Sequence, residues 1–399
     1  MENLAWEIIF IIIGIVIGIS YLRKLNDMSG SMLRIFKIMY VSSLILNFLI
    51  VEILDRGAMM FGDGYDYYRQ AQPIIDTSGF NLSTMLDLKK FIDIGQSWHF
   101  VPTWEFTLFM GLFSSTRCLA LFHVLLTNLS AIVWVRFFKK IGMERSGLVA
   151  ATILVGSFYV RNFTTPALKD ALVYFLFTLI SFFVEEFYLQ KTYKSLIKIV
   201  IPLFILVFTR MYTAAAVVMA IGIIILGEVK KLLIGRISYK RAALLMLFLN
   251  LTVAAFIVLM RTEVYKYILS WIGKTGFGIL LILDVLKRMI NFLYGPFFIN
   301  AFNAQNLYYP SYLSAFLRLL ATPIFINGVL KMKRYKNRRC VYIILFVPFL
   351  VSLLALSVGE QQSAIRQYMN YYPLLCIIYG IGCCKYEKGK LLNTNGGVI

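Results

Sequence analysis

Charge is scarce in this chain. Only 15% of its 399 residues are Asp, Glu, Lys or Arg, against about 25% in ordinary soluble domains. With 60% of residues hydrophobic and a mean hydropathy of +0.76, that shortage excludes a soluble globular fold. Histidine occurs only twice, as His99 and His123, which argues against a histidine metal centre. The five cysteines (Cys118, Cys340, Cys376, Cys383 and Cys384) lie in or beside hydrophobic runs without metal-ligand spacing. They therefore read as small apolar filler, not as a disulfide framework. Nor is there a basic soluble module, so the net charge of +20 is not read as a nucleic-acid footprint. Cytoplasmic loops facing anionic lipid head groups account for it.

What is present is a succession of apolar runs, at about 4–22, 35–54, 118–135, 147–160, 171–189, 196–208, 212–227, 242–260, 311–330, 341–358 and 369–384. A span takes about 20 residues, and backbone polar groups in lipid must be satisfied within the segment. The expected fold class is therefore all-α: a polytopic transmembrane helical bundle of about 11 spans, forming one integral domain over 1–399. The first run has Glu2 and Glu7 at its start and Arg23 and Lys24 after it. A secretory signal has the opposite charge order, so a retained helix with its N-terminus outside is expected. From that start, the inner loops collect Arg23/Lys24/Arg34/Lys37, Arg136/Lys139/Lys140/Arg145, Lys191/Lys194/Lys198, Lys230/Lys231/Arg236/Lys240/Arg241, Lys331/Lys333/Arg334/Lys336/Arg338/Arg339 and Lys385/Lys388/Lys390. Most of the 40 Lys and Arg fall in such loops, as the positive-inside rule requires, and the C-terminus comes out cytoplasmic. This holds if 100–117 is a partial or re-entrant segment.

Two outer loops are long, 55–103 and 261–310. In the first, Met85, Leu88, Phe91 and Ile92 share one face of an amphipathic helix, the pattern of an interfacial element. Residues 284–294 repeat that pattern in the second. The first loop also carries Phe61-Gly-Asp-Gly-Tyr-Asp-Tyr-Tyr68, with Asp63 and Asp66 among glycines and Arg69 behind them. On a helix, Asp66, Arg69 and Gln70 would share a face. Further charges stand at the outer ends of later runs: Lys169-Asp170, Arg210, and Glu360 with Arg366. Ionisable groups at membrane depth are functional candidates, and the planar fork of arginine suits phosphate. Glu185-Glu186 lies near Lys191 on the inner side and reads as solvated charge.

In this order, the Gly-Asp-Gly-Tyr-Asp motif after an apolar helix, Pro166-Ala-Leu-Lys-Asp170 two spans later, and Arg366 ahead of Pro373 resemble the GT-C superfamily of membrane glycosyltransferases. Here the motif follows the second run instead of the first. Residues 1–34 thus look like an additional span and inner loop ahead of a core at 35–399. The resemblance implies an inverting transferase of the cell membrane, active on the extracytoplasmic side. It implies a polyprenyl-(di)phosphate sugar donor and an acceptor hydroxyl on a glycan, lipid or protein. Asp63 or Asp66 would be the catalytic base, and Arg210, Arg366 and Lys169 would hold the donor phosphate. Arg69, Asp170, Tyr67 and His99 are the remaining substrate-binding candidates; aromatic-belt and interface roles for Tyr67 and His99 stay open. No cofactor follows from the pattern, and a divalent ion (Mg or Mn) on Asp63 and Asp66 stays open. Two other readings remain: a surface-polysaccharide polymerase or ligase relying on the arginines, and a lipid-glycan flippase or transporter.

Overall fold

The computed structural model describes residues 2–25, 30–54, 63–94, 100–190, 193–233, 279–280, 282–283, 309–332 and 372–385. Among them every regular element is a helix and no strand occurs. The N-terminal pair is α1 (Glu2–Arg23) and α2 (Gly30–Ile53), followed by α3 (Asp63–Ser78), α4 (Leu82–Leu86), α5 (Leu88–Ile94) and α6 (Phe100–Phe113). Next come α7 (Thr116–Lys140), α8 (Glu144–Gly156), α9 (Phe158–Thr164), α10 (Asp170–Gln190), α11 (Tyr193–Thr209) and α12 (Met211–Leu233). The last described helices are α13 (Tyr309–Leu320), α14 (Thr322–Met332) and α15 (Tyr372–Cys383).

The described residues are all-helical, and their long apolar helices mark a membrane protein. Three described helices are long and apolar enough to cross a bilayer, Leu4–Arg23, Gly30–Ile53 and Thr116–Lys140. A fourth is added if α13 and α14, bent by 62° at their junction, count as one broken span. The apolar runs at 242–260 and 341–358 lie outside the described residues, as do His99, Arg366 and the stretch 284–294.

α7 is the central post. Ser115 caps its N-terminus by accepting from Cys118 N, Lys139 and Lys140 complement its C-terminal dipole, and nearly every residue between is buried. By contrast, α1 is peripheral and shows Ile8, Ile12, Ile13 and Val16 to the exterior. It docks on α2 through Gly14 and Gly18, one helical turn apart. A Cβ at Gly18 would strike the Tyr40 ring, and the Tyr40 hydroxyl donates to Gly14 O at 3.0 Å. Small residues at four-residue spacing let helix backbones approach where hydrophobicity gives no drive toward association. Gly328, Gly380 and Gly382 do the same for α14, α15 and α8, where an added Cβ would meet backbone oxygens of Ile378, Ser146 and Ile324.

The stretch expected as one interfacial helix is two short ones, broken at Asp87. Asn81 caps α4 by accepting from Thr84 N at 2.8 Å. Met85 and Phe91 turn inward against Ile74 and Phe100, whereas Leu88 is exposed together with Leu82 and Leu86. The break rotates the second half, so Leu88 leaves the face that Met85 and Phe91 occupy. The segment 100–113, expected as partial, is the 14-residue helix α6, which buries Phe106 and Phe109 beneath α3.

Glu185 and Glu186 correct the solvated-charge reading, for both are buried. Glu186 bridges Lys140 and Lys198, each at 3.4 Å. Helices α7, α10 and α11 therefore meet at one end through charge.

Candidate functional site

The opposite end of the same helices holds a second group of charges. α3 starts at Asp63, and Asp63 and Asp66 in its first turn favour the positive end of the helix dipole. The inward face of this helix carries Gly64, Tyr67, Ala71 and Ile74; Tyr65, Asp66 and Arg69 are exposed. Gln70 leaves Asp66 and Arg69 and accepts a hydrogen bond from the Thr103 hydroxyl of α6 at 2.7 Å. The expected Asp66–Arg69–Gln70 face is thus split, because α6 covers one side of α3.

Gly64 fixes how close α3 comes to the turn ahead of α10. A Cβ there would sit 3.0 Å from Ala167 O and 3.4 Å from Leu168 Cδ2. That turn is tight, with Leu168 N donating to Pro166 O at 2.8 Å, and it delivers Lys169 and Asp170 as neighbours. The Lys169 ammonium is buried; it lies 3.3 Å from Asp63 Oδ2, donates to the Tyr67 hydroxyl, and stands 5.1 Å from the centre of the Tyr67 ring. Asp63 remains 39% exposed at the side chain.

Asp170, the first residue of α10, is fully buried and pairs with Arg210 Nη2 at 2.6 Å. Arg210 is the junction between α11 and α12: its N–H closes on Leu206 O, and its carbonyl accepts from Thr213 N and Ala214 N. Its guanidinium is 1% exposed. One peptide separates Lys169 from Asp170, so their Cα atoms stand about 3.8 Å apart and the two ion pairs form one charge-balanced row. Asp63 is at its exposed head and Arg210 at its buried foot. Two charges taken from water each cost several kcal/mol unless geometry and hydrogen bonds compensate, which makes this row a poor choice for stability alone.

Of the candidates from sequence, Asp63, Tyr67, Lys169, Asp170 and Arg210 come together, and Asp66 and Arg69 stay on the outside. His99 and Arg366 lie outside the described residues. Arg210 is paired with Asp170 through Nη2, so a phosphate there would share the guanidinium with a carboxylate. For a divalent cation the fit is poor: an ammonium stands beside Asp63, Asp66 faces away, and no three His, Cys, Asp or Glu converge among the described residues. Another buried cation, Arg318 on α13, had no motif to mark it; it lines one space with Ser314 of the same helix and with Ser157 and Tyr372 from distant parts of the chain.

No protein-family model matches the chain, and no curated protein matches it in sequence. The likeness to membrane glycosyltransferases accordingly rests on the residues themselves.

Proposed function

We propose that the protein is a polytopic membrane glycosyltransferase of about 11 spans. It moves a sugar from a polyprenyl-(di)phosphate donor to an acceptor hydroxyl on the extracytoplasmic side. The observation that carries this reading is the half-exposed Asp63 at the head of a buried charged row, with Lys169 3.3 Å behind it. In this scheme Asp63 takes the proton of the acceptor hydroxyl as that oxygen attacks the anomeric carbon. The bond from that carbon to the phosphate oxygen breaks, and the electron pair leaves with the phosphate. Lys169, buried behind Asp63, keeps that carboxylate ionised and oriented, and a single displacement inverts the anomeric configuration. Tyr67 orients Lys169, and the Asp170–Arg210 pair fixes the start of α10 and hence the position of both. In the same reading the Lys140–Glu186–Lys198 end is cytoplasmic and the N-terminus is outside.

The test uses membranes containing the full chain and a labelled polyprenyl-linked sugar, with released lipid phosphate as the readout. Asp63→Asn should lower release by about 10²-fold or more, the usual range for a general base. Asp66→Asn should leave it nearly unchanged, since that carboxylate is exposed and turned away. Full activity in Asp63→Asn would end the assignment.

The 62° break between α13 and α14 favours a second reading, a flippase for lipid-linked glycans, because broken helices are characteristic of transporters. Translocation of a labelled lipid across a proteoliposome without release of its phosphate would select it.

A further inference from the structure

The bend between α13 and α14 lies over a cavity of about 290 Å³ that none of the residues of the charged row lines. One wall is polar. Arg318 is 4% exposed, and Ser157, Ser314 and Tyr372 are buried beside it. Tyr372 lines the same wall as both serines, and the Tyr379 hydroxyl lies 3.5 Å from the Arg318 carbonyl. The other wall is apolar, and two of its residues, Leu317 and Ile324, are also substantially exposed. The rim of the cavity therefore runs onto the outer apolar surface, where Phe316 and Leu320 continue it. No carboxylate is among the described residues lining the space. The wall supplies a guanidinium and hydroxyls, a donor set matched to phosphate oxygens.

We propose that this cavity binds the phosphate head of an amphiphilic lipid, with Arg318 and the adjoining hydroxyls on the phosphate and the hydrocarbon chain leaving between Leu317 and Ile324. A cationic floor alone would accept any small anion. The apolar rim on the exterior selects an anion with a tail, because the tail stays in an apolar environment while the head enters the protein. The 62° bend gives the head its entry, since a continuous helix would close the wall between Leu320 and Thr322. This proposal stands apart from sugar transfer and survives if Asp63 proves dispensable.

The experiment titrates purified full-length protein in neutral detergent and counts bound lipid by native mass spectrometry. Phosphatidic acid, a polyprenyl phosphate, diacylglycerol and inorganic phosphate are the probes. The two lipid phosphates should bind at least about tenfold more tightly than diacylglycerol, and Arg318→Gln should abolish that preference, as expected for loss of a charged hydrogen bond. Arg318→Lys should restore part of it. Ala321→Trp, which fills the cavity and spares the charge, should weaken both lipids. Should Arg318→Gln fail to fold, Ala321→Trp and the diacylglycerol comparison decide alone. Equal binding of diacylglycerol, or unchanged binding in the folded variants, overturns the proposal. Full competition by millimolar inorganic phosphate overturns the lipid part and leaves a free-phosphate site.

Discussion

The two ends of α10 carry ion pairs of opposite character. At its start, Asp170 and Arg210 are 0% and 1% exposed and their atoms touch at 2.6 Å. Toward its end, Glu186 meets Lys140 and Lys198 at 3.4 Å, and those lysines are 34% and 48% exposed. The helix has 21 residues, so the two groups are separated by most of about 30 Å, the thickness of a bilayer core. The lysine end is an ordinary rim: solvent screens each pair and each contributes about 0–1 kcal/mol. The arginine end is desolvated, where the gain and the cost of a pair are both large. A fold that needed only to join α10 to α11 could use the first kind at both ends. That it uses the second kind beside Asp63 and Lys169 is the physical reason to place the proposed chemistry there.

Breaking the deep pair is the harshest test of that contrast. Asp170→Asn or Arg210→Met should each destabilise the protein by about 3–5 kcal/mol, because each leaves one buried charge uncompensated. The double variant Asp170→Leu/Arg210→Met should recover much of that loss. Thermal unfolding in detergent measures all three. If the pair also positions the reacting groups, the double variant will be stable and inactive. A double variant as unstable as the singles would show that the pair is part of a larger network.

A gentler perturbation moves the row without touching its charges. Gly64→Ala places a methyl 3.0 Å from Ala167 O, a backbone atom that cannot rotate away, so α3 has to shift by a few tenths of an ångström. Ala is the better helix former by about 0.5–1 kcal/mol, but Gly64 is only the second residue of α3, where that gain is small. Crowding costs about 1–3 kcal/mol in a packed site and should win. The expected outcome is a loss of about 1 kcal/mol in stability and a drop in any transfer activity as Asp63 moves off Lys169. Gly30→Ala, with nothing within 4 Å, is the neutral control. Unchanged stability and activity in Gly64→Ala would mean that the docking of α3 is looser than its contacts imply.

How much of this was legible in the sequence depends on the range of the interaction. Helical class and membrane residence were legible because they depend on composition and on runs of apolar residues. Asp63, Lys169, Asp170 and Arg210 were legible as charges out of place, but their pairing was not. Lys169 and Asp170 are neighbours in sequence, whereas each binds a group forty or more residues away: Lys169 pairs with Asp63, and Asp170 with Arg210. Asp66 and Asp63 looked equivalent; what separates them is the side of α3 that α6 and the 165–168 turn cover. Glu186 looked solvated because Lys191 stands near it in sequence, and only the packing of α7 against α10 buries it and brings in Lys140. Arg318 had no signal at all, since only Ser314 is near it in sequence, and Ser157 and Tyr372 join it from the cap of α9 and from α15 only after folding.

The smallest effect is expected at the shallow end, and it completes the contrast. Lys198→Ala removes one of two partners of Glu186 and leaves Lys140 in place, so the carboxylate keeps a counter-charge. Lys198 is also half-exposed, and its ammonium stands 5.8 Å from the Phe183 ring, too loosely held to add much. The variant should lose no more than about 1 kcal/mol, read as a small fall in Tm. In 1 M salt the Debye length shrinks to about 3 Å, so wild type and Lys198→Ala should then melt together. The deficit of Asp170→Asn should persist in the same buffer, because ions do not reach a pair that solvent does not reach. Equal salt sensitivity at both ends would mean that water enters the arginine pair. The argument that its burial serves chemistry would then lose its premise.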